Sequence, residues 1–205
     1  MGTAMPQIKC LLWDFGDTLC DKRFIWSSGQ EWMEIYETFD DDGLGSRWCL
    51  GELDTKTFAE ALSERMSKSP ESIIAHMTEC CGAIRFFDKT YDFFRAKHLP
   101  QAIVTVNPDL FSDVIVPICD LHEHCDVIVT SWEERTDDKR VLNGLAIKRL
   151  GLYCENAEAL LIDNKRSNID DWIGIQGSGY HYTGDDAFAA DTPKGIDALA
   201  QICGA

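Results

Sequence analysis

The chain has 205 residues, 45% of them hydrophobic, enough for one ordinary domain or for a core with a sizeable insertion. Its 35 acidic and 19 basic residues give a formal net charge of -16, which argues against nucleic acid or an anionic membrane as partner; an anionic substrate would need local help, such as a metal ion. Nine cysteines without framework spacing point to a reducing compartment, and no stretch approaches the ~20 apolar residues of a membrane span or shows the make-up of a leader, so the expectation is a soluble, cytoplasmic protein.

The first element is the stretch KCLLWDFGDTL over residues 9–19. Its apolar run, Cys10 to Trp13, does not alternate with polar residues, which predicts a strand buried on both faces. The run stops on Asp14 and Asp17, with Gly16 between them and Thr18 after. In an open α/β sheet the C-terminal end of a strand is where ligands bind. An Asx turn is the plainer reading of Asp and Gly at such a place, and the stretch alone leaves both open. Amphipathic and mixed sequence follows: WSSGQEWMEIYETF, a turn cluster DDDGLGS, then TKTFAEALSERM and PESIIAHMTECC. Thr55 and Glu60 mark a helix start, and Pro70 suits the first turn of the next helix. No β-branched alternating run interrupts residues 20–85, which therefore read as a helical insertion.

From residue 86 the pattern alternates: helix FFDKTYDFFRAKH, strand QAIVTV, helix DLFSDVIVPICDL, strand CDVIVTS, helix KRVLNGLAIKRLG, strand ALLIDN, and a last strand near GSGYHYT. Short apolar runs between helical patterns predict an α/β fold with a parallel sheet and crossover helices, which the first strand joins from a distance.

If the strands end at one edge, their terminal polar residues converge: Asp14 and Asp17, Thr105 and Asn107, Asp163 and Asn164, with Lys139 opening an intervening helix. Two carboxylates plus a carbonyl can hold Mg2+, a hard, oxygen-seeking ion. A threonine hydroxyl and a lysine ammonium can neutralise and orient phosphate oxygens. An aspartate beside the ion can act as a nucleophile, forming an aspartyl phosphate that divides one hard displacement into two easier ones. Taken singly, Thr105 reads as a strand threonine, Lys139 as a solvated cation and Asp163-Asn164 as a helix cap. It is their order and shared position after apolar strands that argues for a site.

Here the sequence resembles the haloacid dehalogenase (HAD) superfamily, mostly phosphatases, over nearly its whole length. The D-x-D-x-T motif of that family is met by Asp14-Phe15-Gly16-Asp17-Thr18 with the second acid replaced; the Ser or Thr ending a strand by Thr105; the lysine ahead of a helix ending in Leu-Gly by Lys139; and the acidic pair followed by Asn by Asp163-Asn164 with Asn168. The resemblance implies a Rossmann-like parallel-sheet core over residues 1–19 and 86–205 and an inserted all-helical cap over 20–85. It implies Asp14 as nucleophile, Mg2+ held by Asp14, the Gly16 carbonyl and Asp163, with Asn164 beside them, and a phosphate held by Thr105 and Lys139. Gly16, Asp17 and Asn107 line the substrate side. Asn107 lies one place beyond the asparagine common in relatives, and their Lys-Pro is absent. Gly16 stands where most of those phosphatases carry an aspartate that protonates the leaving oxygen, so good leaving groups are expected. Asp17, one residue further on, is expected to point away.

The segment His122-Glu123-His124-Cys125 reads as a surface turn rather than a zinc site. Phe86, Phe87, Tyr91, Phe93 and Phe94 read as core packing, and Asp40-Asp41-Asp42-Gly43 as a solvated loop without the closing Glu of a calcium loop. The leading expectation is a Mg2+-dependent phosphatase acting on a small phosphorylated metabolite. A haloacid dehalogenase, or a relative that kept the fold and lost the chemistry, are the alternatives.

Overall fold

Strand β1 (Cys10–Trp13) is buried at all four residues because it lies at the centre of the sheet. The computed structural model describes residues 7–22 and 43–202. The stretch WSSGQEWMEIYETF and the acids Asp40, Asp41 and Asp42 lie outside the described residues. After β1 come a two-residue strand β2 (Cys20–Asp21) and the helices α1 (Leu44–Cys49), α2 (Thr55–Ser63) and α3 (Pro70–Cys81). The short strand β3 (Arg85–Phe86) then leads to α4 (Asp88–Arg95), β4 (Gln101–Thr105), α5 (Leu121–His124), β5 (Val127–Thr130), α6 (Ser131–Glu134) and α7 (Lys139–Arg149). The chain closes with β6 (Ala159–Asp163), α8 (Arg166–Gly174), β7 (Ser178–His181), α9 (Asp185–Asp191) and α10 (Ile196–Ile202).

Five strands form one parallel sheet in the order β5-β4-β1-β6-β7, with Trp13 in register with Ile103 on one side and Ile162 on the other. The pleat sends alternate residues to opposite layers. Cys10 and Leu12 pack with Leu142, Ala146, Ile169 and Trp172 of α7 and α8. Leu11 and Trp13 pack with Phe94 of α4 and Phe188 of α9, and the Trp13 ring meets both phenylalanines edge-on at 5.7 and 5.8 Å. An apolar strand that serves two layers has no polar face, which is why its sequence does not alternate.

Among the described residues between β1 and the rest of the sheet, three helices form a second layer. Its ends meet where β2 pairs antiparallel with β3, Cys20 opposite Phe86. Helices α1 to α3 share a core of their own, including Leu44, Trp48, Phe58, Leu62, Ile73 and Met77. Helix α1 corrects the turn expected over DDDGLGS. Gly43 takes the positive φ of 66° that starts it, and the Trp48 ring stacks on Phe58 at 4.0 Å, so tertiary burial overrides the turn-prone composition. Helix α2 begins at Thr55 as expected, but its cap is Asp54, whose carboxylate accepts from Thr57 N at 2.7 Å. The helix expected over DLFSDVIVPICDL is a wide π turn (Phe111–Ile115) running into three helical residues, with Pro117 unable to donate to the regular ladder. Helices α9 and α10 have no counterpart among the sequence expectations, and α8 has only the reading of Asp163-Asn164 as a helix cap. Among the described residues no helix is long and apolar enough to cross a membrane.

Candidate active site

The crossing of β1, β4 and β6 at their C-terminal ends is where the expected residues gather. Lys139 is the first residue of α7, whose start is fixed by the Asp138 carboxylate accepting from Arg140 N at 2.9 Å. From there the buried Lys139 ammonium donates to Asp14 Oδ1 and to the Val104 carbonyl, each at 2.6 Å, and lies 3.3 Å from Asp163 Oδ2. Asp14 and Asp163 are themselves buried, so one ammonium sits between two carboxylates shielded from water. The solvated lysine of the plainer reading is not what the structure shows.

Thr18 ties β1 to β6. Its fully buried hydroxyl donates towards Asp14 Oδ2 at 3.4 Å and accepts from Asn164 N at 3.1 Å. Asp163 is held by Lys165 N on Oδ1 at 2.7 Å and by Asn168 Nδ2 on Oδ2 at 2.9 Å, and His181 Nε2 meets the Asn164 carbonyl at 3.0 Å. Thr105 ends β4 at the same edge, its hydroxyl accepting from Asn107 Nδ2 at 2.6 Å. Asp17 turns away: its carboxylate accepts from Lys22 N at 3.2 Å and pairs with the Lys22 ammonium at 2.6 Å. A Cβ built on Gly16 would meet nothing nearer than Lys22 Cβ at 3.6 Å, so this position has room for a side chain. Residue 17, at φ 61°, is the strained one.

Two acids share one base here, and the electrostatics follow from that. Burial pushes the Asp14 carboxyl above the ordinary aspartate range; Lys139 opposes the shift and the Asp163 charge adds to it. Burial works against the Lys139 ammonium, but the two carboxylates outweigh it and hold its pKa above the ordinary lysine value. Beside them the Asn164 side-chain oxygen is buried without a hydrogen-bond partner, as are both side-chain polar atoms of Asn143, one turn beyond Lys139 on α7. The Asp14 and Asp163 carboxylates, with the orphan oxygen of Asn164 next in sequence to Asp163, are hard-oxygen donors of the kind that suits a small divalent cation such as Mg2+. Among the described residues no three His, Cys, Asp or Glu side chains gather into a group that could hold a metal ion. The segment 122–125 instead packs its His124 ring against Tyr91 and Phe94.

Sequence reasoning missed the seam that joins the helical layer to this edge. Asp109, four residues beyond Thr105, is buried, and its carboxylate accepts from Trp48 Nε1 (2.7 Å), Thr55 N (2.8 Å), Thr55 Oγ1 (2.6 Å) and Leu110 N (3.0 Å). Ser131 Oγ donates to the Cys49 carbonyl at 2.7 Å, and Trp132 Nε1 to the Leu53 carbonyl at 3.0 Å. Gly51 completes the seam at φ 68°, where a Cβ would fall 2.3 Å from the Trp132 carbonyl. The one local signal the sequence holds there is the run Asn107-Pro108-Asp109, whose residue types favour a turn and say nothing of a partner.

No family model matches the sequence, and no curated protein matches it. Solved structures do match in fold. A predicted HAD-like family hydrolase from Porphyromonas gingivalis superposes with a TM-score of 0.72 at 14% identity, over 93% of this chain and 98% of that one. A HAD family enzyme from Bacteroides thetaiotaomicron, in complex with magnesium and inorganic phosphate, gives 0.69 at 17% identity, over 86% and 95%. L-2-haloacid dehalogenase from Xanthobacter autotrophicus gives 0.63 at 16% identity, over 96% and 88%.

Proposed function

We propose that this chain, which has the haloacid dehalogenase fold, is a hydrolase that transfers a phosphoryl group from a small phosphorylated metabolite to Asp14 and then to water. The observation that carries this reading is the buried ammonium of Lys139 set between the Asp14 and Asp163 carboxylates at the ligand-binding edge of the sheet. Asp14, Asp163 and Lys139 sum to one negative charge, and a phosphate dianion would bring the site to minus three. Burial on that scale demands a counter-charge, and the oxygen donors present suit a divalent ion. Mg2+, when bound by Asp14, the Gly16 carbonyl, Asp163 and Asn164, would supply positive charge to the phosphate oxygens.

The chain's own residues do the rest. An Asp14 oxygen attacks phosphorus as the bond to the leaving oxygen breaks, and water then cleaves the aspartyl phosphate to restore the carboxylate. Lys139 neutralises the charge of the transferring group and the Thr105 hydroxyl orients it. Residues 20–85 act as a cap that keeps bulk water from the reaction. Gly16 can donate no proton, so the preferred substrates are those whose leaving oxygen needs none: anomeric sugar phosphates, acyl phosphates and aryl phosphates.

A second reading, haloacid dehalogenase, takes support from Gly16, since that chemistry also uses an aspartate nucleophile without a second acid. The Asp163 carboxylate so close to the same ammonium weighs against it. Hydrolysis of an aryl phosphate that stops on chelation and returns with Mg2+, and that is lost in Asp14→Asn, is the expected result. Halide release from a 2-haloacid without metal would replace this reading with the second. Silence in both assays would mean a protein that keeps the fold for binding.

A further inference from the structure

We propose that Cys10 and Cys154 are a redox modification site, closing to a reversible disulfide by exchange with a small-molecule disulfide and so stapling β1 to the loop that enters β6. Their sulfurs stand 3.9 Å apart, near enough for one thiol to donate to the other, although the residues are 144 positions apart in sequence. Among the described residues no other two cysteines make such a contact. Cys10 opens β1 and is fully buried, which alone would mark a small core hydrophobe. Cys154 is different. It is half-buried in the loop over residues 150–158 between α7 and β6, where a small reagent can reach it, and its sulfur lies against Cys10.

The surroundings hold the pair together and leave one member room to move. Lys9 N donates to the Glu158 carbonyl at 2.7 Å, and the Lys9 ammonium pairs with the Glu158 carboxylate at 2.7 Å and reaches the Tyr153 carbonyl at 3.5 Å. Glu155 N donates to Glu158 Oε2 at 3.0 Å. The loop is thus pinned on both sides of Cys154, yet among the described residues no main-chain hydrogen bond involves Cys154 itself. A disulfide holds its sulfurs at about 2.0 Å, so closure takes about 2 Å of further approach, and Cys154 can supply it while Cys10, in register with Ala159 in the sheet, stays in place. In the exchange the Cys154 thiolate attacks one sulfur of the small disulfide and expels a thiolate. The Cys10 thiolate then attacks the Cys154 sulfur of the mixed disulfide and expels the second. Two protein thiols are oxidised, and the small disulfide is reduced to two thiols that take up the two protons. Burial holds both protein thiols above the ordinary cysteine range, so the exchange is slow near neutral pH and answers sustained oxidation. Cys10 lies at the opposite end of β1 from Asp14, so the cross-link acts on stability, by constraining the unfolded chain over a long loop.

The test needs no substrate and is independent of the phosphatase reading. The full chain is brought to equilibrium in buffers of graded reduced-to-oxidised glutathione ratio, alkylated, digested without reductant and mapped by mass spectrometry, with thermal melts on the same samples. In the oxidising buffers a linked Cys10–Cys154 peptide should replace the two alkylated ones, the melting temperature should rise by about 5–10 °C, and dithiothreitol should reverse both changes. Cys154→Ser, a change at a half-buried loop position, should melt with reduced wild type and show no rise on oxidation. Absence of the linked peptide in fully oxidised glutathione, or glutathione held on Cys154 while Cys10 stays a thiol, would overturn the proposal. A linked peptide without a higher melting temperature would overturn the staple, and a rise that persists in Cys154→Ser would overturn it by assigning the gain to other cysteines.

Discussion

The cluster around Lys139 and the seam around Asp109 are two buried polar constructions at the same edge of one sheet, and they differ in how completely they are satisfied. At the seam one carboxylate accepts from four donors, three of them from the helical layer, and nothing is left over. At the cluster two carboxylates share one ammonium, and the Asn164 oxygen has no partner. A saturated network fixes two layers together and can do little else, whereas an unsaturated one retains capacity for a ligand. The difference accords with a structural role for the first and supports the chemistry proposed for the second.

The first test of that spare capacity is at Gly16. A side chain fits there without a close contact, so Gly16→Asp should fold and place an acid beside Asp14. Positioned acid catalysis is worth ~10²- to 10⁴-fold. In wild type the rate should fall steeply as the leaving-group pKa rises. In Gly16→Asp, alkyl phosphates should gain on the order of 100-fold while aryl phosphates change little. A flat dependence in wild type would mean that an acid already acts there, and that the site is more complete than its geometry indicates.

Lys139→Met breaks the cluster instead. Removing the ammonium leaves two buried carboxylates facing each other, a loss of roughly 3–5 kcal/mol in stability as well as of activity. The sign of its pH dependence is fixed. Burial already raises the Asp14 carboxyl in the folded state, and losing Lys139 removes the group that opposed the rise. The penalty is therefore full above the raised folded pKa and is relieved as pH falls through it, because the folded state then prefers the neutral acid. Urea unfolding of variant and wild type at pH 8 and pH 5 should show the gap narrowing towards pH 5. A gap that does not change would place the charge imbalance elsewhere.

These two sites also show what was legible in the sequence. Asp14, Lys139 and Asp163 each sit at the end or start of an element with a strong apolar pattern, so a parallel sheet brings them together by topology alone. Asp109 meets Trp48 and Thr55 across 61 and 54 residues through contacts that no periodicity encodes. Ser131 and Trp132 are likewise silent, because their partners are main-chain carbonyls and any residue can supply a carbonyl. Helix α1 was hidden for a related reason. Its glycines and serine argue for a turn, and only Trp48 on Phe58 settles the matter. Asp17 was legible by its spacing from Asp14, since one extra residue turns a side chain away.

Asp109→Ala breaks the seam. It strands the Trp48 indole N–H and two donors of Thr55, each worth ~1–3 kcal/mol if left unpaired, though not additively, so a loss of about 2–4 kcal/mol is expected. Turnover of a small aryl phosphate by the folded variant should stay within about tenfold of wild type, because the Asp109 carboxylate bonds to Trp48, Thr55 and Leu110 rather than to Asp14, Lys139 or Asp163. A much larger loss of turnover at full occupancy of the folded state would show that the seam positions the Thr105 loop, and the division between the two regions would have to be redrawn.

The smallest expected effect is at Asp17, and it bears most closely on whether the second acid is missing or merely displaced. Two opposed changes accompany Asp17→Gly. The backbone gains, since φ 61° suits glycine and strains other residues, by an amount on the order of 0.5–1 kcal/mol. Against this stands the loss of the pair with Lys22, whose side chains are 53% and 30% exposed for Lys22 and Asp17, and a pair of that exposure contributes about 0–1 kcal/mol. The net change in stability should lie within about 1 kcal/mol of zero. Turnover of aryl phosphates should stay at the wild-type level and the leaving-group dependence should keep its slope. If the slope steepened in Asp17→Gly, Asp17 would have to swing from Lys22 to the leaving oxygen during turnover. The double variant Gly16→Asp/Asp17→Gly then separates the cases: it places the acid where the backbone has room and the glycine where φ is positive. If Asp17 has no part in the chemistry, that variant should match Gly16→Asp in rate and exceed it slightly in stability.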